Sequence, residues 1–368
     1  MSKLTPEIPF TELVERVVQL ARTEADPSRA RGAINDVYVR ELPIKEDWTF
    51  LLVSSAITCT DDFNTGTCSV NTQASAVTFS TDVVLDASFT GRRIKFSGNA
   101  NVYDFTFSNT TGGTVNPPLS GTSNITNGSY VIYQSVYALS DDYDRWPKNG
   151  GLQVFQGGQI TPIKEVSPQE WYREHVATTN IPERCRLVRA GTDMIQRFEL
   201  NPPPNQPYVL GNEYLVKLDP LRESTAGFVS ISASGTSVTG SAGTTRFTEA
   251  QTGWYIRIDA FGTGEDSEWY RVSAITHNSS LTLATAFGLS GATTAQYTLS
   301  AVPMVPSKLH PALLYGAVRQ LTTDQNDPNH EFYQAKFTEA IVDAKRVYKS
   351  RDYNTDVQTV FEEYHYRR

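Results

Sequence analysis

What most constrains this chain is where apolar residues recur every three or four positions, and where they stop doing so. Near the start, Phe10, Leu13, Val14, Val17, Leu20 and Ala21 form one stripe, the pattern of an amphipathic helix. Asp26-Pro27 ends that helix and opens a second, with Asp26 as cap and Pro27 at the first helical position. The second carries Ala30, Ala33, Ile34, Val37 and Tyr38 and runs to about Leu42-Pro43. At the other end, Pro311 opens a helix through Leu313, Leu314, Ala317, Val318 and Leu321. Asn326-Asp327-Pro328 breaks it, and Phe337, Ile341, Ala344 and Tyr348 mark the next one. Neither pair can bury its stripe alone, so the two pairs are expected to pack on each other.

Between these ends the period changes to two. Thr90-Gly91-Arg92-Arg93-Ile94-Lys95-Phe96 leads to Val102-Tyr103-Asp104-Phe105 and Tyr130-Val131-Ile132-Tyr133. A second stretch repeats the order: Thr252-Gly253-Trp254-Tyr255-Ile256-Arg257-Ile258, then Trp269-Tyr270-Arg271-Val272, then Tyr297-Thr298-Leu299. Both read as one small antiparallel β sandwich or barrel, used twice. A third region, rich in Pro and charge, suggests a small sheet with protected edges. The expected class is therefore α+β: a helical bundle from both chain ends, a small β sheet, and two inserted antiparallel β modules. The expected boundaries are 1–50 (first helices), 51–134 (first module), 135–222 (sheet), 223–302 (second module), 303–350 (last helices) and 351–368 (extended tail).

Charge and chemistry narrow the function. A net charge of −8 and pI near 5.3 argue against a protein that grips nucleic acid by its phosphates. No apolar run approaches the length of a bilayer span. The N-terminus Met1-Ser2-Lys3-Leu4-Thr5-Pro6-Glu7 lacks the apolar core of a signal peptide. Cys59 and Cys68 flank the turn-like Asp61-Asp62-Phe63-Asn64-Thr65-Gly66 and could face each other in a hairpin, although buried thiols, with Cys185, are the plainer expectation. His175, His277, His310, His330 and His365 have no helical metal-ligand spacing. Asp61-Asp62, Asp141-Asp142, Glu265-Asp266 and Glu362-Glu363 are adjacent pairs, which on a strand point to opposite faces and build no catalytic dyad. No catalytic residue, cofactor or metal is expected. Trp254 and Trp269, in the densest aromatic cluster, are candidate residues of an exposed module surface; burial in a module core is the competing expectation.

Several stretches resemble the head–tail adaptor (connector) proteins of tailed bacteriophages. They are Tyr137-Ala138-Leu139-Ser140-Asp141-Asp142-Tyr143-Asp144-Arg145, Pro162-Ile163, Glu170-Trp171, Ile181-Pro182-Glu183-Arg184-Cys185-Arg186, Leu200-Asn201-Pro202-Pro203-Pro204 and Tyr214-Leu215-Val216-Lys217-Leu218-Asp219-Pro220-Leu221. They resume with Val305-Pro306-Ser307-Lys308-Leu309-His310-Pro311-Ala312-Leu313-Leu314-Tyr315-Gly316-Ala317; Trp48 also fits. The resemblance covers about half to two-thirds of the chain and excludes both β modules, in which this chain departs from the short members.

It implies a structural virion protein at the head–tail junction, assembled in the host cytoplasm, forming a ring, usually twelvefold, beneath the portal protein. Genomic DNA would pass the lumen without sequence-specific binding, and tail or nozzle proteins, with fibres as further candidates, would dock on the ring. The resemblance also implies a C-terminal tail reaching the portal, here Tyr353, Val357, Val360, Phe361, Tyr364, Tyr366, Arg367 and Arg368. The alternative expectation is a carbohydrate- or receptor-binding protein, or a baseplate or tail-tube part, that uses the β modules.

Overall fold

The computed structural model describes residues 7–21, 26–121, 123–148, 150–173, 178–189, 195–259, 268–323 and 329–349. It divides into two compact units, Leu51–Val216 and the combination of Met1–Phe50 with Lys217–Arg368.

Three helical segments open the chain: α1 (Phe10–Ala21), α2 (Pro27–Asp36) and, after a π-helical turn at Val37–Glu41, α3 (Leu42–Lys45). The Asp26 carboxylate accepts from the Ser28 backbone N–H at 2.9 Å, and Pro27 occupies the first helical turn, where its missing N–H costs nothing. That bond holds the exposed Asp26 carboxyl below its ordinary pKa.

The unit Leu51–Val216 begins with β1 (Leu52–Thr58) and continues into β2 (Cys68–Val70), β3 (Ala76–Phe79), β4 (Arg93–Phe96), β5 (Val102–Asn109), β6 (Gly112–Asn116), β7 (Ile125–Gly128) and β8 (Tyr130–Tyr133). Strands β2 to β8 form one sheet, ordered β7-β2-β3-β6-β5-β4-β8, curled into a half-barrel. Its inward residues Val77, Ile94, Phe96, Tyr103, Phe105 and Ile132 make a core of their own.

The chain then runs through β9 (Val136–Ala138), β10 (Tyr143–Arg145), β11 (Leu152–Gln156), β12 (Gln159–Pro162), β13 (Lys164–Glu165), α4 (Pro168–Arg173), β14 (Arg184–Arg189), β15 (Gln196–Asn201) and β16 (Val209–Val216). One sheet is ordered β1-β16-β11-β12, with β10 also on β16; the other is β13-β14-β15-β9. Leu152, Val154, Leu210 and Tyr214 from the first sheet and Tyr137, Cys185, Phe198 and Leu200 from the second share one core. Although β1 lies in the stretch expected to start the first module, it pairs with β16 over its whole length, from Leu52↔Leu215 to Thr58↔Val209.

The other unit adds β17 (Glu223–Ser224), β18 (Val229–Ile231), β19 (Ser237–Gly240), β20 (Tyr255–Asp259), β21 (Tyr270–His277), β22 (Ser280–Leu283), β23 (Ala292–Ser300), α5 (His310–Thr323) and α6 (His330–Tyr348). Strand β23 pairs with both β18 and β20, closing a six-stranded barrel of order β23-β18-β19-β22-β21-β20, with β17 added outside. The half-barrel has the same ladder order: its last strands, β7 on β2 and β8 on β4, are separated by Ser129 alone and stand where β23 stands.

The expected α+β class, with a helical bundle from both chain ends as its main body, is corrected here. Strands take 36% of the chain and helices 26%, and the helices are few and short. The main bodies are the half-barrel and the closed barrel, each with its own apolar core, and a pair of sheets that share a third. The helices still touch: α5 packs on α1, α2 and α6, and Gly316 lets it approach closely. A Cβ there would lie 2.9 Å from Val37 Cγ1 and 3.1 Å from the Phe337 ring. The reason for the correction is numerical. Many strands of only three to five residues, rich in Thr, Ser and Gly, add up to more of the chain than four conspicuous helical stripes.

Candidate interaction surfaces

The implied portal-contacting residues, Tyr353 through Arg368, lie outside the described residues. The aromatic cluster divides. Tyr255 and Tyr270 are buried, and Trp254, half-buried, packs against the barrel core. Trp269 is half-buried under Arg257, whose guanidinium carbon lies 4.9 Å from the ring centroid. Cys59 and Cys68 do not face each other: Cys59 belongs to the core shared by the two sheets and Cys68 to the half-barrel core. Burial pushes both thiols, and that of Cys185, up to about 12, so none is a ready nucleophile. Among the described residues no group of three or more His, Cys, Asp or Glu side chains could hold a metal ion. None of their helices is long and apolar enough to cross a membrane. Asp62 accepts from the Thr179 hydroxyl at 2.7 Å and Asp142 from the Tyr214 hydroxyl at 2.9 Å, both structural contacts.

Three arrangements stand out. The first is a buried carboxylate. Glu199 on β15 is 2% exposed and takes two arginines. Arg186 on β14 donates through Nε at 2.8 Å and Nη2 at 2.6 Å to Oε2, while Arg93 on β4 reaches Oε1 in a short ion pair. Arg186 also lies 4.7 Å from the Trp171 ring centroid and 5.4 Å from that of Tyr172. Arg93 belongs to the Thr-Gly-x-x-Ile stretch, so this contact ties the half-barrel to the adjoining sheet. Sequence reading missed Glu199, because one glutamate in Gln196-Arg197-Phe198-Glu199-Leu200 carries no mark of burial.

The second is an apolar row on an open sheet face. Phe155 on β11 stands opposite Val209 on β16 and Ile160 on β12, and directly paired residues project from the same face. Their neighbours Val154 and Leu210 point into the core, so this row points away from it. Phe155, Val209 and Ile160 are 46%, 43% and 59% exposed. The Phe155 ring lies across Gly211, where a Cβ would come within 2.5 Å of it. Every residue of β12 is exposed, and among the described residues β12 pairs with β11 alone, with no described strand on its other edge.

The third is a groove of about 570 Å³ on the outside of the closed barrel, lined by Thr225, Gly227, Phe228, Arg257, Asp259, Gln296, Tyr297 and Thr298. Arg257 is held by Trp269 and by Glu15 of α1, 3.3 Å from its Nη2.

About half of the residues in the family-like stretches are buried. Tyr137, Leu139, Tyr143, Ile163, Cys185, Leu200 and Tyr214 lie in the core between the two sheets. Leu309, His310, Ala312, Leu313 and Ala317 are buried at the start of α5.

No family model matches the chain, and no curated protein does. Among solved structures, translation elongation factor SelB from Methanococcus maripaludis aligns in its apo form over 69% of this chain and 63% of its own, at 14% identity and a TM-score of 0.16. The same factor with the GTP analogue GppNHp aligns over 68% and 62%, at 13% identity and a TM-score of 0.16. The chain thus spans somewhat under two-thirds of the SelB chains, and likeness at that score carries no argument about fold or function.

Proposed function

We propose that this chain is a structural virion protein, a head-to-tail adaptor that assembles into a ring beneath a portal, encloses a DNA channel and presents a docking surface to the tail. The observation that carries the reading is the row Val209, Phe155 and Ile160 ending at the outer edge of β12. Three large apolar side chains in line across adjacent strands, beside an edge that no other described strand covers, are costly to leave in water and suit a surface completed by another chain. A ring needs such a patch to meet a different patch on the next subunit. The family-like order of residues in the sheets and in α5 supplies the rest of the support.

The test is the double variant Phe155→Asp with Ile160→Lys. It should still fold, since both side chains are about half exposed, with stability lowered by about 1–2 kcal/mol through the lost cross-strand contacts. It should fail to form rings on portal-bearing heads. Normal ring formation by this variant would remove the patch from the assembly surface, and with it the observation on which the proposal rests.

A further inference from the structure

We propose that the groove on the closed barrel is a binding site for a neutral pyranose sugar, formed where four polar side chains on the barrel wall meet the exposed ring of Phe228. Strands β20 and β23 pair with Arg257 opposite Thr298 and Asp259 opposite Gln296. Opposed residues, and residues two apart on one strand, share a face. The intervening Ile256, Ile258, Tyr297 and Leu299 fill the barrel core, so the four polar residues form a tile on its outside. Three of the four, Arg257, Asp259 and Gln296, end in planar groups with two heteroatoms side by side, which suits neighbouring hydroxyls of a sugar ring. Thr225 adds a hydroxyl.

The apolar side of the groove is built as firmly as the polar one. Phe228 is 45% exposed, yet its backbone is clamped on both sides. Its N–H donates to Ser241 Oγ at 3.0 Å and its carbonyl accepts from the Ser241 N–H at 2.8 Å. The Tyr297 hydroxyl donates to the Ala226 carbonyl at 2.7 Å, fixing the preceding turn. Gly227 has φ of +89° and lies so close to Thr244 and Ser241 that a Cβ would come within 2.8 Å of both hydroxyls. A large ring is thus held outward beside hydrogen-bonding groups. That is the arrangement a pyranose needs, with C–H groups on the aromatic face and hydroxyls on the polar tile. Trp269 and Glu15 hold Arg257 in place beforehand, which lowers the ordering cost of binding.

The experiment is saturation-transfer NMR and calorimetry on the full chain with maltohexaose, cellohexaose, laminarihexaose and mannohexaose. At least one should bind in the millimolar range or tighter. Phe228→Ala and Gln296→Ala should each weaken binding about tenfold. Both side chains are exposed, so the variants should keep the parent's melting temperature, and Phe155→Asp should bind like the parent. Absence of binding by all four sugars, or binding indifferent to both groove substitutions, would overturn the proposal. So would occupation of the groove by a peptide segment in place of a sugar. None of these outcomes bears on ring formation, so the adaptor reading stands or falls separately.

Discussion

Replacing Glu199 by Ala removes the one acceptor shared by Arg93 and Arg186, and the size of the penalty can be worked from exposure. Glu199 is 2% exposed, whereas the Arg93 and Arg186 side chains are 27% and 19% exposed. Leaving a fully buried charge without its partner costs about 3–5 kcal/mol. Partial solvation of both guanidinium groups reduces this to about 2–4 kcal/mol. Arg93→Ala leaves Glu199 its two bonds from Arg186 and should cost less, about 1–2 kcal/mol. Arg186→Ala should fall between them, because it also removes the stacking on Trp171. Urea melts followed by tryptophan fluorescence measure the series. A two-unit chain need not melt in one step, so the comparison belongs to the transition that the substitutions move. Glu199→Ala melting within about 0.5 kcal/mol of the parent would refute this account of the latch. Arg93→Ala costing more than Glu199→Ala would do the same.

Three further outcomes follow from the geometry. His310 is buried, its Nδ1 accepts from the Ile8 N–H at 3.2 Å, and burial holds its pKa below the ordinary 6.5, opposed in part by the Val305 carbonyl. The unfolded chain therefore takes up this proton first, so stability is complete above about pH 6.5 and declines as pH falls through that value. Melting temperatures from about pH 7.5 to 5 should fall less in His310→Gln than in the parent, and equal slopes would count against it. Gly113→Ala places a Cβ 2.2 Å from the Phe105 ring and 2.8 Å from the Thr106 carbonyl oxygen, with Phe105 fully buried. It should cost about 1–3 kcal/mol by denaturant melt, and a neutral effect would contradict the packing. Truncation after Arg351 should leave circular dichroism and melting unchanged yet abolish attachment to portal-bearing heads, and normal attachment would exclude a portal role for the tail.

Local chemistry was legible in the sequence more than global arrangement. Asp26 and Pro27 announced a helix start, and Phe10, Leu13, Val14 and Val17 are buried together as their spacing suggested. The two Thr-Gly-x-x-Ile stretches led to β4 and β20, which hold the same place in ladders of the same order. What stayed hidden depends on distant partners. Strand β1 looked like the start of a module, but its partner β16 lies some 150 residues on, and no local pattern records that pairing. Phe155 and Ile160 lie on neighbouring strands, and no pattern along those strands says which face of the sheet is covered. Glu199 is ordinary until the fold brings Arg93 to it. The fold class departs from the expectation because helical stripes are conspicuous, whereas short Thr- and Ser-rich strands announce themselves weakly.

Microscopy of the purified protein mixed with portal-bearing heads tests the central reading most directly. If the chain is an adaptor, class averages will show a closed ring added beneath the portal, of high rotational order and with both barrel types repeated once per subunit. A chain that leaves the portal bare, or that assembles instead into threefold or sixfold tail parts, would contradict the assignment.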